Sequence, residues 1–145
     1  MALPSKLDQQ LCFELYKASS NFTKLYARTL EPFNLTFPQY LVLLVLWEED
    51  HLLTKDIGNR LGLGIGTLNP IISRMIAQGR LIKRQSDEDK RAYVLSLTQK
   101  AQEEKEAIEQ AIYDKVINCN FIDMSAITLM KNLKQLNLAF SDMDL

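Results

Sequence analysis

Side chains that bind metals or act as nucleophiles are scarce in this chain: one histidine, His51, and two cysteines, Cys12 and Cys119, in 145 residues. None of the three stands at a metal-ligand spacing from another, so neither a metal site nor a cofactor is expected. Two cysteines also make no disulfide scaffold. Together with an N-terminus that lacks a basic segment followed by an apolar stretch, they point to a reducing cytoplasm. No apolar run reaches the ~18 residues of a membrane span. Glycine and proline are few, five and four, and nowhere form a linker, so the chain reads as one continuous unit. Gly62, Gly64 and Gly66 follow no strand and make no phosphate-binding loop. A thiol enzyme such as a peroxidase needs a base or cation beside its cysteine. Tyr16 lies near Cys12 in sequence but no histidine does, and the chain is not read as an enzyme.

What is present fits a folded protein: 47% apolar and 24% charged residues, in a chain long enough to bury a core unaided. The net charge is −1, but it is unevenly spread. Arg74, Arg80, Lys83, Arg84, Lys90 and Arg91 crowd one stretch, opposed by Asp87, Glu88 and Asp89. Glu103, Glu104, Glu106 and Glu109 follow. A basic tip on an acidic body is compatible with a nucleic-acid partner. His51, beside Glu48, Glu49 and Asp50, reads as a surface residue at a helix end.

Leu7, Leu11, Leu15, Ala18, Phe22 and Leu25 recur at helical spacing and predict an amphipathic helix over about residues 7–30. Ser5 and Asp8 are placed to cap it, and Pro32 and Asn34 to break it. Thr36 and Gln39 have capping-box spacing, and the almost wholly apolar residues 40–47 predict a buried central helix. Thr54 is placed as the N-cap of a short helix over residues 55–61. Thr67 is placed as the N-cap of the next, with Pro70 in its first turn and Gly79 at its end. Two short helices about a glycine turn form a helix-turn-helix.

The period then changes to two, and residues 81–85 and 92–97 read as strands around a polar loop. A hairpin directly after a helix-turn-helix is a wing. Residues 99–119 read as a helix with Ile108, Ile112, Val116 and Cys119 on one stripe. Residues 124–138, which include Ile127, Met130 and Leu133, read as a last helix. The expected fold is therefore mainly α with a small β-hairpin wing. A single domain, residues 1–145, holds a winged helix-turn-helix over about 35–98. The helices of 5–33 and 99–145 exceed what a small wing domain needs, and their apolar stripes are assigned to a homodimer interface. The plainer alternative is packing within one chain.

A recognition helix enters the major groove N-terminus first, while flanking groups hold phosphates. Here Thr67, Asn69, Ser73 and Arg74 are the exposed candidates, with Leu68, Ile72 and Met75 facing inward. Asn69 carries the donor and acceptor that read adenine; Arg74 suits phosphate or guanine. Lys90 and Arg91 at the wing tip can enter a minor groove, with Asp89 orienting Arg91. The plainer reading is a solvated charged surface, which the order of helix-turn-helix and hairpin opposes. The expected partner is double-stranded operator DNA.

The stretch Leu11-Cys12-Phe13-Glu14-Leu15-Tyr16 resembles the opening motif of the OhrR branch of the MarR family, which are peroxide-responsive repressors. The similarity continues through Leu35-Thr36-Phe37-Pro38-Gln39-Tyr40-Leu41, Leu46-Trp47-Glu48 and Gly66-Thr67-Leu68. Asp87-Glu88-Asp89-Lys90-Arg91 and Ser96-Leu97-Thr98 match the family's wing and the start of the next helix. The resemblance spans about residues 7–100. It implies a redox sensor at Cys12, oxidised by organic hydroperoxide to a sulfenic acid, with the hydroxyls of Tyr16 and Tyr26 bonded to its sulfur. It also implies that Cys119 stands where two-cysteine members form a disulfide with the partner's sensor. A small buried apolar residue is the other reading of Cys119.

Geometry constrains this picture. Tyr16 is four residues from Cys12 and shares its helix face. Tyr26 is fourteen residues away, about 21 Å along a helix axis, so it can reach only the partner chain's Cys12. Three departures stand out. Phe37 replaces a third tyrosine, Gly64 and Ile65 replace an Asp-Ser pair, and Asn69 replaces a threonine. Sensor tuning and operator preference are expected to differ accordingly. The function expected is a transcription regulator, a repressor, that leaves its operator when organic hydroperoxide or a related oxidant oxidises Cys12. The alternative is a MarR-type repressor answering a small apolar or phenolic ligand in the dimer crevice, with Cys12 structural.

Overall fold

The computed structural model describes residues 6–7, 10–117 and 126–143. Its first helix, α1 (Leu11–Leu30), starts later than the apolar spacing predicts. Leu7 lies in a turn, and the Gln10 carbonyl is the first to accept helical N–H groups, from Phe13 and Glu14. Ser5 and Asp8 lie outside the described residues. A short 3-10 turn, Glu31–Phe33, follows, and Asn34 in the left-handed conformation (φ 54°) stops it.

Helix α2 (Phe37–Glu48) carries the capping box that its sequence predicts. Gln39 N donates to Thr36 Oγ1 at 3.3 Å and Thr36 N donates to Gln39 Oε1 at 3.1 Å. A cap of this kind contributes about 1 kcal/mol. Val42, Leu43, Val45 and Leu46 bury α2 at the centre of the molecule. After it comes β1 (Leu52–Leu53), a strand too short to leave a period in the sequence.

Helix α3 (Thr54–Leu61) includes Thr54 as its first residue instead of being capped by it; the Thr54 hydroxyl donates to the Tyr93 carbonyl at 3.5 Å. Helix α4 (Ile65–Ala77) likewise starts before Thr67. The Gly64 carbonyl already accepts the N–H groups of Thr67 and Leu68, so Gly64 is the cap and Pro70 sits beyond the first turn. Gly79 ends the segment as expected, with φ 75° and Arg80 N returning to the Met75 carbonyl.

Strands β2 (Leu81–Gln85) and β3 (Tyr93–Leu97) pair antiparallel with Leu81 opposite Leu97 and Gln85 opposite Tyr93. β1 adds to the other edge of β3, giving the order β1-β3-β2. The helix expected over residues 99–119 is interrupted. It comprises α5 (Gln99–Glu103), α6 (Lys105–Ile112) and a π-helical turn, Tyr113–Ile117. Helix α7 (Ala126–Ser141) closes the described chain. Cys119 and Met124 lie outside the described residues.

One core serves the elements from α1 to the π-helical turn. Leu30 of α1, Leu43 and Leu46 of α2, Ile57 of α3, Leu68, Ile72 and Met75 of α4, Leu95 of β3 and Ile108 of α6 are fully buried together. Ile108, Ile112 and Val116 therefore pack within this chain, against α1 and the core, and are not free for a partner as their stripe had implied. Exposed apolar residues on the flanking segments include Leu11 and Tyr16 on α1, Tyr113 and Ile117 after α6, and Ile127, Met130 and Leu138 on α7.

Arg80 corrects a second expectation. Its place among basic residues suited the surface, yet it is only 2% exposed. It pairs with Glu104 at 3.0 Å, donates to Gln78 Oε1 at 2.7 Å, and also donates to the carbonyls of Phe33 and Asn34. Three elements meet on this one guanidinium: the α1–α2 corner, the exit from α4 and the end of α5.

Candidate nucleic-acid interface and cysteine helix

The turn between α3 and α4 is set by two glycines. A Cβ on Gly58 would meet the Leu63 carbonyl oxygen at 2.8 Å, so only glycine permits the close approach there. Gly62 takes φ 70°, and Leu63 N returns to the Gly58 carbonyl at 2.9 Å. The turn aims α4 so that Leu68, Ile72 and Met75 enter the core while Thr67, Asn69, Ser73 and Arg74 remain exposed.

Those four do not form a single cluster. At about 100° per residue, Asn69 and Ser73 share one flank of the exposed face and Thr67 and Arg74 the other. Between the flanks run Gly66, Pro70 and Ala77, residues with little bulk, which allow the helix backbone a close approach to a docked surface. Beside the Arg74 flank lies an open cavity of about 490 Å³, whose lining includes Arg28, Glu31, Thr36, Gln39, Arg74 and Gln78. Arg28 of α1 and Arg74 of α4 thus line one cavity with Thr36 and Gln39 of the α2 cap. Arg28 was missed in the sequence, because nothing local to α1 shows that its last turn abuts α4.

The wing is built by its own polar side chains. Ser86 Oγ accepts the N–H groups of Glu88 and Asp89, and Ser86 N bonds the Ala92 carbonyl at 2.9 Å. Asp89 Oδ1 accepts Arg91 N at 3.0 Å and lies 3.5 Å from Arg91 Nε. The expected pairing of Asp89 with Arg91 is thus present, on an Arg91 side chain that is 93% exposed. Gln85 Nε2 donates to the Lys90 carbonyl, and the Lys83 ammonium sits 4.4 Å from the Tyr93 ring centroid. Lys90 has no ion-pair partner among the described residues.

On α1, Cys12 is exposed in the first turn, with Sγ 4.0 Å from Gln10 Oε1. Tyr16, one turn on, is 72% exposed. Tyr26 is half-buried, its ring 5.0 Å from that of Phe37 and 6.0 Å from that of Tyr40. Because α1 is unbroken, Cys12 and Tyr26 lie about 21 Å apart along its axis and within about 40° around it. A single chain brings Cys12 near Tyr16 and keeps it from Tyr26.

Burial raises the Tyr26 hydroxyl above its ordinary pKa. Burial, with added repulsion from Tyr26 and Glu109, pushes Tyr40 up to about 12. A folded-state pKa above the unfolded value of 10.0 means that Tyr40 contributes fully below pH 10 and that this contribution is lost as pH rises toward about 12. Melting curves of wild type and Tyr40→Phe across that interval are expected to show a shallower loss in the variant. Equal slopes would remove Tyr40 from the account.

A helix-turn-helix, a paired wing and an exposed face on the second helix of the turn define a winged-helix protein. Residues 24–108 match the family of transcriptional regulators SarA/Rot. Over 94 residues the chain is 47% identical to an organic hydroperoxide resistance transcriptional regulator of Bacillus subtilis. That match covers 65% of this chain and 64% of the Bacillus protein, so the chain spans under two thirds of that relative's length. With the HTH-type regulator MgrA of Staphylococcus aureus it shares 34% identity over 129 residues, 88% of this chain and 86% of MgrA. It is similar also to AbfR of Staphylococcus epidermidis. Reduced AbfR bound to DNA superposes with a TM-score of 0.82 at 30% identity, over 95% of this chain and 94% of that one. Disulfide-formed AbfR does so at 0.68 and 34%, over 90% and 92%. The chain belongs to the SarA/Rot family of transcriptional regulators, among the MarR-type, OhrR-like members.

Proposed function

We propose that this chain is a homodimeric, DNA-binding repressor, not an enzyme, that leaves its operator when an organic hydroperoxide oxidises Cys12. The observation that carries the reading is α4, buried along Leu68, Ile72 and Met75 and open along Thr67, Asn69, Ser73 and Arg74, followed by a hairpin wing whose tip carries Lys90 and Arg91. Asn69 and Ser73 meet base edges. Thr67 and Arg74, with Arg28 across the cavity, hold phosphates. Lys90 and Arg91 enter the minor groove, and Asp89 fixes the Arg91 backbone and guanidinium. Residues 35–98 form the reading unit.

The flanking helices, residues 5–33 and 99–145, form the dimer interface, which the exposed apolar residues of α1 and α7 favour. Antiparallel pairing of two α1 helices brings each Tyr26 to the partner's Cys12. Two copies then carry their α4 helices into successive major grooves, about one DNA turn apart.

The signal chemistry balances at the sulfur. The Cys12 thiolate attacks the distal oxygen of the hydroperoxide, the O–O bond breaks, and an alkoxide leaves to be protonated as alcohol. Cys12 becomes a sulfenic acid. The Tyr16 hydroxyl of the same chain and the Tyr26 hydroxyl of the other bond to it. Attack by the thiol of Cys119 from the partner chain then forms a disulfide and releases water. That AbfR has a disulfide-formed state supports this second step. Either product adds strain between the α1 helices and changes the separation of the two reading heads. The switch belongs in a reducing cytoplasm, where thiols are restored.

Binding of reduced protein to the duplex upstream of its own gene tests the DNA assignment. Specific binding is expected to exceed that to a scrambled duplex by about 10³-fold or more, at one fixed salt concentration. Equal affinity for both would refute it.

A further inference from the structure

The first turn of α4 holds an apolar side chain that the fold covers only by half. Ile65, the first residue of α4, is 49% exposed, although a β-branched residue gains nothing for the helix there. It is flanked by Gly64 and Gly66. A Cβ on either glycine would meet nothing within 4 Å, and neither glycine occupies the left-handed region. Packing and backbone therefore leave both positions open to larger residues, and glycine weakens a helix relative to alanine. The three residues together form a low backbone ridge with one apolar knob at the end of α4 that enters a groove.

Asn69 is one turn further on the same flank, so Ile65 and Asn69 are side-by-side neighbours. In the major groove an A·T pair offers adenine N6 and N7 to an amide and the 5-methyl group of thymine to an apolar side chain. We infer that Ile65 is a specificity-determining residue that contacts the 5-methyl group of one thymine in each operator half-site. The bare glycines admit the backbone close enough for the contact, and Asn69 reads adenine beside it. This rests on the DNA-binding reading above.

Uracil in place of thymine tests it, since it keeps base pairing and removes only the methyl group. The reduced protein first selects its operator from a random-sequence duplex library, and each thymine is then replaced by deoxyuridine. One symmetric position is expected to lower wild-type affinity about fourfold per half-site, about sixteenfold when both are changed. Ile65→Ser is expected to bind thymine and uracil alike at that position. Melting temperature checks that the exposed substitution leaves the fold intact. Wild-type indifference to uracil at every position overturns the inference, as does a serine variant that keeps the full loss. A selection that enriches no sequence overturns the DNA-binding reading itself, which sets that failure apart.

Discussion

Cys12→Ser is expected to stay on the operator at hydroperoxide concentrations that strip the wild type from it. Serine is close to cysteine in size but has no sulfur to accept an oxygen atom. Cys12 is exposed at the start of α1, open to a peroxide, with Tyr16 one turn away on the same face. Oxidised wild type is expected to fall toward non-specific affinity, about 10³-fold or more weaker. The serine variant should change less than about twofold, within the reach of ordinary surface substitutions. Gel shifts of both proteins at one salt concentration measure this. A serine variant released as readily as wild type would make Cys12 structural and turn the search to a small apolar or phenolic ligand.

Arg80→Met should cost about 3–5 kcal/mol of unfolding free energy, the usual effect of breaking a buried ion pair from one side. The Arg80 side chain is 3% exposed and that of Glu104 21%, so water replaces little of what is lost. Methionine matches the length of the stem but leaves the Glu104 carboxylate and the Phe33 carbonyl without the guanidinium. Arg80→Met with Glu104→Leu should recover part of the loss, because no unpaired charge then remains. Urea unfolding of the three proteins decides between these outcomes. A single variant within about 1 kcal/mol of wild type would mean that the pair is incidental. Operator affinity should fall with the single substitution too, since Arg80 fixes the exit of α4 against the α1–α2 corner and α5.

Local chemistry was legible in the sequence where one segment decides its own structure. The Thr36–Gln39 capping box, the stop at Gly79, the inward residues Leu68, Ile72 and Met75, and the β2–β3 hairpin all follow from spacing and residue type. The helix starts were misplaced because threonine is the better N-cap on average, while here the carbonyls of Leu53 and Gly64 come first. Arg80 looked like part of a basic surface. Its burial depends on two carbonyls some 46 residues earlier and an acid 24 residues later. The cavity shared by Arg28 and Arg74 was hidden for the same reason. Ile108, Ile112 and Val116 were correctly placed on one stripe, but a period does not say whether α1 of the same chain or a partner covers it.

The most direct measurement is the anisotropy of a labelled operator duplex titrated with reduced protein, protein treated with organic hydroperoxide, and the treated protein reduced again with dithiothreitol. The account predicts tight binding, loss of binding, and recovery to the original affinity. Binding that is the same in all three states would contradict it.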